Sequence, residues 1–293
     1  MNKPENQSYA KKNKGPVFAV LSSLCYGLNN PLAALAAQNG IPTTFSVLSR
    51  ATFMFVISLI LAITGKLNFR IPNDVRLHVI IMAITTALIN LCYVGSINFI
   101  SVSLAAIIFF TFPVQILLVS IIKGSQNIRM SDIIIFAVVF TGLIFVIVPD
   151  FNNIDPFGVL LAGLSSVSAT FLYFAAGVAS RKLSPIMLGF WVHLFVLPVL
   201  AVSFLILSPY VEINELSSYL PVLIMSLCYV GAYYFQMLSL KFTSVLISGL
   251  FFNTEPLLTA VAAALILDER LLFSQYIGGI LIFVSLIIVS MRK

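Results

Sequence analysis

Residues 251–258, FFNTEPLL, place a glutamate directly before a proline in the middle of an apolar stretch. The pair is unfavourable in hydrocarbon, because proline removes a backbone donor and kinks a helix and because an ionisable side chain at mid-bilayer costs roughly 2.5–3.5 kcal/mol. Asn253, Thr254 and Glu255 are able to bond the backbone groups that Pro256 frees. The carboxyl group of Glu255 is also able to face a cavity, where it would bind a cation or exchange a proton. We favour the cavity, since carboxyl groups inside membranes usually face a pathway.

Two other ionisable side chains, Arg50 and His193, lie deep in apolar stretches. Arg50 either anchors its helix by snorkelling towards the interface or serves as an outer gate or as a group that binds a carboxylate. The sequence does not choose between these roles. Asn30 lies at a similar depth in the first apolar stretch. For His193 the sequence favours a hydrogen bond to a neighbouring helix over a role in the site, because a lone histidine is a weak signal.

Aromatic side chains are abundant, with 25 Phe, 10 Tyr and one Trp. Some of them can line a cavity and stack on an organic or cationic solute: Tyr26, Tyr93, Tyr173, Tyr233, Tyr234 and Trp191. Packing would explain any one of them taken singly. The predicted substrate-binding or coupling residues are Glu255, Asn253, Thr254, Asn30, Tyr26, Arg50, His193, Trp191, Tyr93 and Tyr173, and the predicted hinges are Pro113 and Pro256.

The composition identifies the environment that these residues share. Hydrophobic residues make up 60% of the 293-residue chain and charged residues 9%, with a mean hydropathy of +1.08, which is typical of a polytopic membrane protein. Ten apolar stretches, spans 1 to 10, are each near the roughly 20 residues that a helix needs to cross the hydrocarbon core. They are 16–37, 44–64, 77–97, 102–123, 131–149, 156–179, 185–207, 219–240, 245–267 and 273–291. We therefore predict an all-α integral membrane protein without a separate soluble domain.

The basic residues predict the orientation of the spans, because cytoplasmic loops are enriched in Lys and Arg. Fourteen of the sixteen fall in one set of alternate loops: Lys3, Lys11, Lys12, Lys14, Lys66, Arg70, Arg76, Lys123, Arg129, Arg181, Lys182, Lys241, Arg292 and Lys293. The other loops carry Arg270, Asp150, Asp155, Glu212, Glu215, Asp268 and Glu269. Both termini are therefore predicted to be cytoplasmic, in a multi-pass protein of the cytoplasmic (inner) membrane. The basic start of the chain also resembles a secretory signal, but the apolar run that follows is long enough to span the bilayer.

The two halves of the chain share an internal repeat. A shift of 143 residues aligns Pro113 with Pro256, and the register continues without a gap through the surrounding spans. The halves, 1–149 and 150–293, hold five spans each, and because five is odd the second half enters the membrane from the opposite side. Inverted repeats of this kind offer one central site to the two sides of a membrane in turn, as in secondary transporters. Glu255 lies roughly 15 Å along its span at helical rise, which is near the midplane.

Signals for other chemistry are weak. Cys25, Cys92 and Cys228 fall in apolar stretches without the spacing of metal ligands, there is no Walker motif, and neither HExxH nor GxSxG occurs. We predict no metal, no cofactor and no enzymatic activity. An intramembrane enzyme and a non-transporting receptor or scaffold are the alternatives from other classes. The predicted partners are a small-molecule substrate, the lipid bilayer and, if transport is coupled, a proton; no nucleic acid is expected, and a monomer and a homodimer both stay open.

The chain resembles EamA-type members of the drug/metabolite transporter superfamily over essentially its whole length. YGLNNP at 26–31 is similar to the aromatic-Gly-x-Asn element of the first helix, with tyrosine where tryptophan is usual, and Arg50 sits where such proteins often carry an arginine. SLKFTSVLISGLFFNTEPLLTAV at 239–261 is similar to the family signature around the Glu-Pro kink. SRKL at 180–183 and DERL at 268–271 resemble the basic and acidic turns of the family.

This resemblance implies export or exchange of small organic solutes through a central cavity between the halves, with rocking alternating access. We therefore predict a secondary transporter that moves a small organic metabolite, an amino acid or a related compound, out of the cell. An alternative within the same class is an importer of a quaternary ammonium compound such as choline, which would use the aromatic side chains as a cage.

Overall fold

The computed structural model describes residues 14–124, 128–152, 154–207 and 216–291. Within these residues there is no β-strand, and ten helical stretches are long and apolar enough to cross a membrane, which confirms the predicted fold class and number of spans. Spans 1 to 10 are Lys14–Gln38, Thr43–Thr64, Asn73–Ser96, Val102–Ile122, Met130–Ile147, Pro156–Ala179, Pro185–Leu207, Leu220–Phe242, Val245–Ile266 and Phe273–Met291. Some of the charged residues that predict the orientation lie outside the described residues: Lys3, Lys11, Lys12, Glu212, Glu215, Arg292 and Lys293.

Spans 1, 4 and 9 are each divided into two helices, so the described residues form thirteen α-helices in all. They are α1 Lys14–Gly27, α2 Asn29–Gln38, α3 Thr43–Thr64, α4 Arg76–Ser96, α5 Val102–Phe109, α6 Phe112–Ile122, α7 Met130–Ile147, α8 Pro156–Ala179, α9 Pro185–Leu207, α10 Leu220–Phe242, α11 Val245–Phe252, α12 Thr254–Ile266 and α13 Phe273–Met291. Short 3₁₀ turns, Asn73–Val75 and Leu216–Tyr219, precede α4 and α10.

A proline accounts for each of the three breaks. Pro31 is the third residue of α2, Pro113 the second of α6 and Pro256 the third of α12. The first turn of a helix tolerates proline, because the amide that proline lacks has no intrahelical partner there. Each span therefore stops just before its proline and starts again as a new helix. The break at Pro31 was not among the predicted hinges.

The two repeats build the breaks of spans 4 and 9 in the same way. The hydroxyl of Thr111 donates to the Ile108 carbonyl at 2.7 Å, and that of Thr254 donates to the Phe251 carbonyl at 2.8 Å. The members of each pair of equivalent residues are 143 positions apart. These bonds satisfy carbonyl groups that the broken helices leave without an amide partner. The shared geometry supports the repeat register that the sequence predicts.

Asn253 also supports the break in span 9. Its side-chain amide donates to the carbonyl of Leu250 at 3.0 Å and to that of Gly249 at 3.3 Å. Asn253 and Thr254 therefore bond carbonyls at the break, which is the alternative role that the sequence allows them. Glu255 makes no such bond to any described residue, so its carboxyl group is not part of the support.

The two halves are packed into each other. The most extensive contacts between spans join span 3 to 6, span 1 to 8, span 2 to 7 and span 5 to 10, and each pair combines one span from each half. In the repeat, each span of the first half corresponds to the span five later. The pair of spans 3 and 6 is therefore equivalent to the pair of spans 8 and 1, and the other two pairs are each equivalent to themselves. The ten spans therefore form two inverted five-helix repeats around a pseudo-two-fold axis, with the interior shared between them.

Loop contacts identify the two ends of the bundle. The Lys182 ammonium lies 3.5 Å from the Asp74 carboxylate, so the start of span 3 and the loop after span 6 meet at one end, here called the Lys182 face. At the other end, the Asp150 face, the Ser101 hydroxyl donates to the Asp150 carbonyl at 3.0 Å and the Asp150 amide donates to the Ser103 hydroxyl at 3.1 Å. Basic and acidic loops thus lie at opposite ends, as the alternation along the chain requires.

Spans 5 and 10 cross at two glycines. A Cβ atom built on Gly142 would lie 2.9 Å from the Gly278 carbonyl oxygen, and one built on Gly278 would meet the Gly142 carbonyl oxygen. Small residues permit this close approach of two helices in lipid. A Cβ atom at Gly163, in contrast, would meet no atom within 4 Å.

We predict that Gly278→Ala destabilises the protein, because the added methyl group forces the backbones of spans 5 and 10 apart. Overpacking of this kind typically costs about 1–3 kcal/mol. Gly163→Ala is the matched control and should leave stability unchanged or slightly higher, since alanine favours helix more than glycine does. Thermal unfolding of the purified variants in detergent checks this. Equal melting temperatures for the two variants would contradict the close crossing.

Candidate functional site

A cavity of about 170 Å³ lies in the interior where seven spans from both repeats meet. Spans 1, 2, 3, 4, 6, 8 and 9 contribute its wall: Tyr26, Asn30, Arg50, Thr86, Ile89, Asn90, Tyr93, Val94, Phe109, Phe110, Phe112, Ala169, Leu172, Tyr173, Tyr229, Tyr233, Gln236 and Glu255. The lining combines one acidic group, one basic group and a majority of apolar and aromatic side chains. A small organic molecule with charged groups suits such a wall.

Glu255 reaches the cavity because of the break in span 9. It is the second residue of α12, where the helix dipole favours a negative charge. No described residue is a hydrogen-bond partner of its carboxyl group, and no ion pair within 4 Å joins it to Arg50 in the described structure. The carboxyl group is therefore available to whatever enters the cavity.

Arg50 is held on two sides. One terminal nitrogen donates to Asn90 Oδ1 at 2.6 Å, and the guanidinium carbon lies 5.2 Å from the centre of the Tyr229 ring. Asn90 in turn donates to the Thr86 carbonyl of its own helix at 2.8 Å. A guanidinium group has five N–H donors, so most of them stay free for a ligand in the cavity.

Aromatic rings form much of the remaining wall. The Tyr173 ring packs on Phe112 with centroids 4.9 Å apart, and Tyr93 meets Phe109 edge-on at 5.5 Å. The Tyr26 hydroxyl donates to Gln236 Oε1 at 3.0 Å, which links spans 1 and 8 in the wall of the cavity. Rings at these positions can contact an apolar side chain or a cation.

The structure brings six of the predicted site residues together at the cavity and leaves four outside it. The six are Glu255, Asn30, Tyr26, Arg50, Tyr93 and Tyr173. Asn253 and Thr254 are buried in the break and bond backbone carbonyls instead. His193 is buried behind Tyr229, and Trp191 packs beside Phe190 with ring centroids 5.1 Å apart.

Several lining residues were missed by sequence reasoning. Asn90, Gln236 and Thr86 are polar but not ionisable, and unlike Asn30, Asn253 and Thr254 they do not adjoin a proline motif. An amide in the middle of an apolar helix is itself a signal, because it needs a partner that lipid does not supply. Tyr229 was also missed. Tyr233 lines the cavity, whereas Tyr234 is 38% exposed on the surface.

The cavity is continued towards the Asp150 face by a second, smaller pocket of about 60 Å³. This pocket shares Asn90 and Val94 with the cavity, and Thr44, Asn98 and Ser203 line it near the ends of spans 2, 3 and 7 at the Asp150 face. The two pockets therefore adjoin each other between the cavity and that end of the bundle.

The interior is packed shut towards the Lys182 face. The hydroxyls of Ser239 and Ser248 are hydrogen-bonded at 2.8 Å between spans 8 and 9. A Cβ atom on Gly177 would lie 2.6 Å from Val245 Cγ2, so spans 6 and 9 also approach closely. Spans 6, 8 and 9 therefore pack closely between the cavity and the Lys182 face. Among the described residues, no cluster of His, Cys, Asp and Glu could hold a metal ion.

We predict that a cysteine at position 30 reacts with a thiol reagent that cannot cross membranes, because Asn30 is exposed and lines the cavity. The neighbouring Asn29 is only 3% exposed, so Asn29→Cys is the matched control and should react only after unfolding. Both changes are made in a background in which Cys25, Cys92 and Cys228 are replaced by alanine. Labelling of intact cells and of inverted vesicles checks the expectation. Absence of reaction of Asn30→Cys from both sides of the membrane would contradict a cavity that is open to water.

Comparison with known proteins agrees with this architecture. The sequence matches the model of the EamA-like transporter family twice, over residues 13–148 and 156–291. A crystal structure of a protein with 16% sequence identity superimposes with a TM-score of 0.78 over 96% of this chain and 100% of that chain, which shows a shared fold. Among curated proteins, none matches the sequence. Because the family model covers both halves of the chain, the protein belongs to the EamA-like transporter family, within the drug/metabolite transporter superfamily.

Proposed function

We propose that this protein is a secondary transporter that exports an amino acid, or a closely related small metabolite, across the cytoplasmic membrane by alternating access. One observation carries the proposal: Arg50 and Glu255 line the same cavity without pairing with each other. In this proposal both termini are cytoplasmic, so the Lys182 face is the cytoplasmic one. The cavity then faces outwards and is closed towards the cytoplasm.

The two charges suit a zwitterion. The planar fork of free N–H groups on Arg50 matches the two oxygens of a carboxylate, and the carboxyl group of Glu255 matches an ammonium group. The rings of Tyr93, Phe112 and Tyr173 would receive the apolar part of the solute. The cavity volume of about 170 Å³ is below the roughly 300–1,000 Å³ of drug-sized sites, which favours a solute of few heavy atoms.

Coupling is assigned to Glu255. An ionised carboxylate without a protein partner is unfavourable in a low-dielectric interior, so it is neutralised either by the ammonium group of the solute or by a proton. Alternation between these two partners would couple export to proton entry. The breaks at Pro113 and Pro256, together with the one at Pro31, would serve as hinges for the gates.

Import of a quaternary ammonium compound is the second candidate function. Glu255 and the rings of Tyr26, Tyr93 and Tyr173 lie around one cavity, and this combination of a carboxylate and aromatic faces suits a choline-like cation. The positive charge of Arg50 in the same cavity disfavours such a ligand, because like charges repel in a low dielectric.

We predict that Glu255→Gln abolishes proton-driven transport. The purified protein is reconstituted in liposomes, and accumulation of labelled neutral amino acids and of choline is measured with and without an imposed pH gradient. The amide has the shape of the carboxyl group but cannot release a proton, so accumulation should fall to the level seen without a gradient. Glu269→Gln, in an exposed loop, is the matched control and should behave as the unmodified protein.

The outcomes separate the alternatives. Transport that is independent of the gradient and unchanged by Glu255→Gln would contradict proton coupling and leave Glu255 without a role in coupling. Transport of choline without any amino acid would favour the second candidate. Failure of every tested solute to accumulate would contradict the proposed substrate class.

A further inference from the structure

We infer that His193 is a positioning residue: through Tyr229 it fixes the guanidinium group of Arg50 in the orientation that receives the carboxylate of the solute. The inference rests on the proposed function for the role of Arg50. It gives a role to a histidine that is 0% exposed and does not line the cavity.

The surroundings of His193 determine its tautomer. Nδ1 lies 2.9 Å from the Gly189 carbonyl oxygen, and Nε2 lies 3.0 Å from the Tyr229 hydroxyl. A carbonyl oxygen only accepts hydrogen bonds, so Nδ1 carries the proton of the neutral ring and Nε2 is left as an acceptor. The Tyr229 hydroxyl must then donate to His193. The imidazole is thereby fixed at both ends.

The bond to His193 fixes the Tyr229 ring. Tyr229 is 7% exposed, and its ring meets Tyr26 edge-on with centroids 5.9 Å apart and His193 edge-on at 5.7 Å. With its hydroxyl anchored and two rings at its flanks, Tyr229 keeps one face towards Arg50, whose guanidinium carbon lies 5.2 Å from the ring centre. A guanidinium group is attracted to such a face.

Two contacts are needed to orient Arg50. The hydrogen bond to Asn90 at 2.6 Å holds one terminal nitrogen but leaves the guanidinium plane free to turn about that bond. The face of Tyr229 selects one plane, and the free N–H pairs then point in a fixed direction. Bidentate binding of a carboxylate depends on that direction. A chain of contacts therefore runs from span 7 through spans 8 and 2 to span 3.

The test compares three single variants and the double variant His193→Phe/Tyr229→Phe in the reconstituted system. His193→Phe keeps a ring of similar shape but removes the acceptor, and Tyr229→Phe removes the donor while keeping the aromatic face. His193→Gln retains an acceptor at about the distance of Nε2 and is the conservative variant. The probes are labelled leucine and labelled 3-methylbutylamine, which is leucine without its carboxyl group.

We expect His193→Phe and Tyr229→Phe each to raise the KM for leucine by about tenfold, the scale of a hydrogen bond to a charged group, with little change in maximal rate. The KM for 3-methylbutylamine should stay unchanged, because that amine has no carboxylate for Arg50. His193→Gln should have KM values close to those of the unmodified protein. The KM of the double variant for leucine should be no higher than that of either single variant, since both substitutions remove the same hydrogen bond.

A second readout needs no solute. Phenylglyoxal modifies arginine side chains, and mass spectrometry of the purified protein gives the rate at position 50. A loosened Arg50 should react several-fold faster in His193→Phe than in His193→Gln. Ser226→Ala is the control, because Ser226 is buried on the same span as Tyr229 but bonds only the Val222 carbonyl of its own helix, at 2.7 Å. Ser226→Ala should change neither the KM values nor the rate at which Arg50 is modified.

A purely structural role for His193 would give different results. If the KM values for leucine and 3-methylbutylamine rise together, or if His193→Phe and Ser226→Ala behave alike in both readouts, the positioning role is overturned. If leucine is not transported but the reactivity of Arg50 follows the variants as expected, the positioning role is supported and the proposed substrate class fails instead.

Discussion

Every unpaired polar group is costly in the hydrocarbon core, and the fold of this protein depends on how its broken helices meet that constraint. Proline divides spans 1, 4 and 9 in the middle of the bundle. The carbonyl groups that these breaks free are bonded by side chains just before the prolines, among them Thr111, Asn253 and Thr254. Irregular backbone is tolerated at this depth because it is buried in protein or lines a cavity. The breaks and the cavity therefore depend on each other.

The two repeats satisfy the constraint differently. In the first repeat, Gln115 donates to the Ser166 hydroxyl at 2.9 Å, so polar side chains tie the break of span 4 to span 6. At the symmetry-related junction between spans 9 and 1 the equivalent positions are Leu258 and Ser23, and Ser23 Oγ has no hydrogen-bond partner among the described residues. The charged residue Glu255 sits at this less strongly bonded break. The two junctions therefore differ in the side-chain hydrogen bonds that join them to the neighbouring span.

The site is assembled from residues that are remote in sequence. Arg50 and Glu255 come from different repeats and meet only because spans 2 and 9 border one cavity. Neither residue is paired with the other, so a guanidinium group and a carboxyl group both face the cavity. In the proposed function, a solute with both charges would give each group a partner in a low dielectric.

The sequence by itself determined the ten spans, the helical class, the inverted repeat and the broken helix at Pro256, because hydropathy, residue spacing and proline chemistry are local properties. The break at Pro31 was equally local and could have been predicted from the Asn-Asn-Pro run. Only the tertiary structure decided which polar side chains reach the cavity. It placed Gln236 in the wall and His193 behind it. Whether a residue faces the cavity or a neighbouring helix depends on the rotation of its own helix about its axis. Packing against the neighbouring helices sets that rotation, and in this chain those neighbours come from the other half of the sequence.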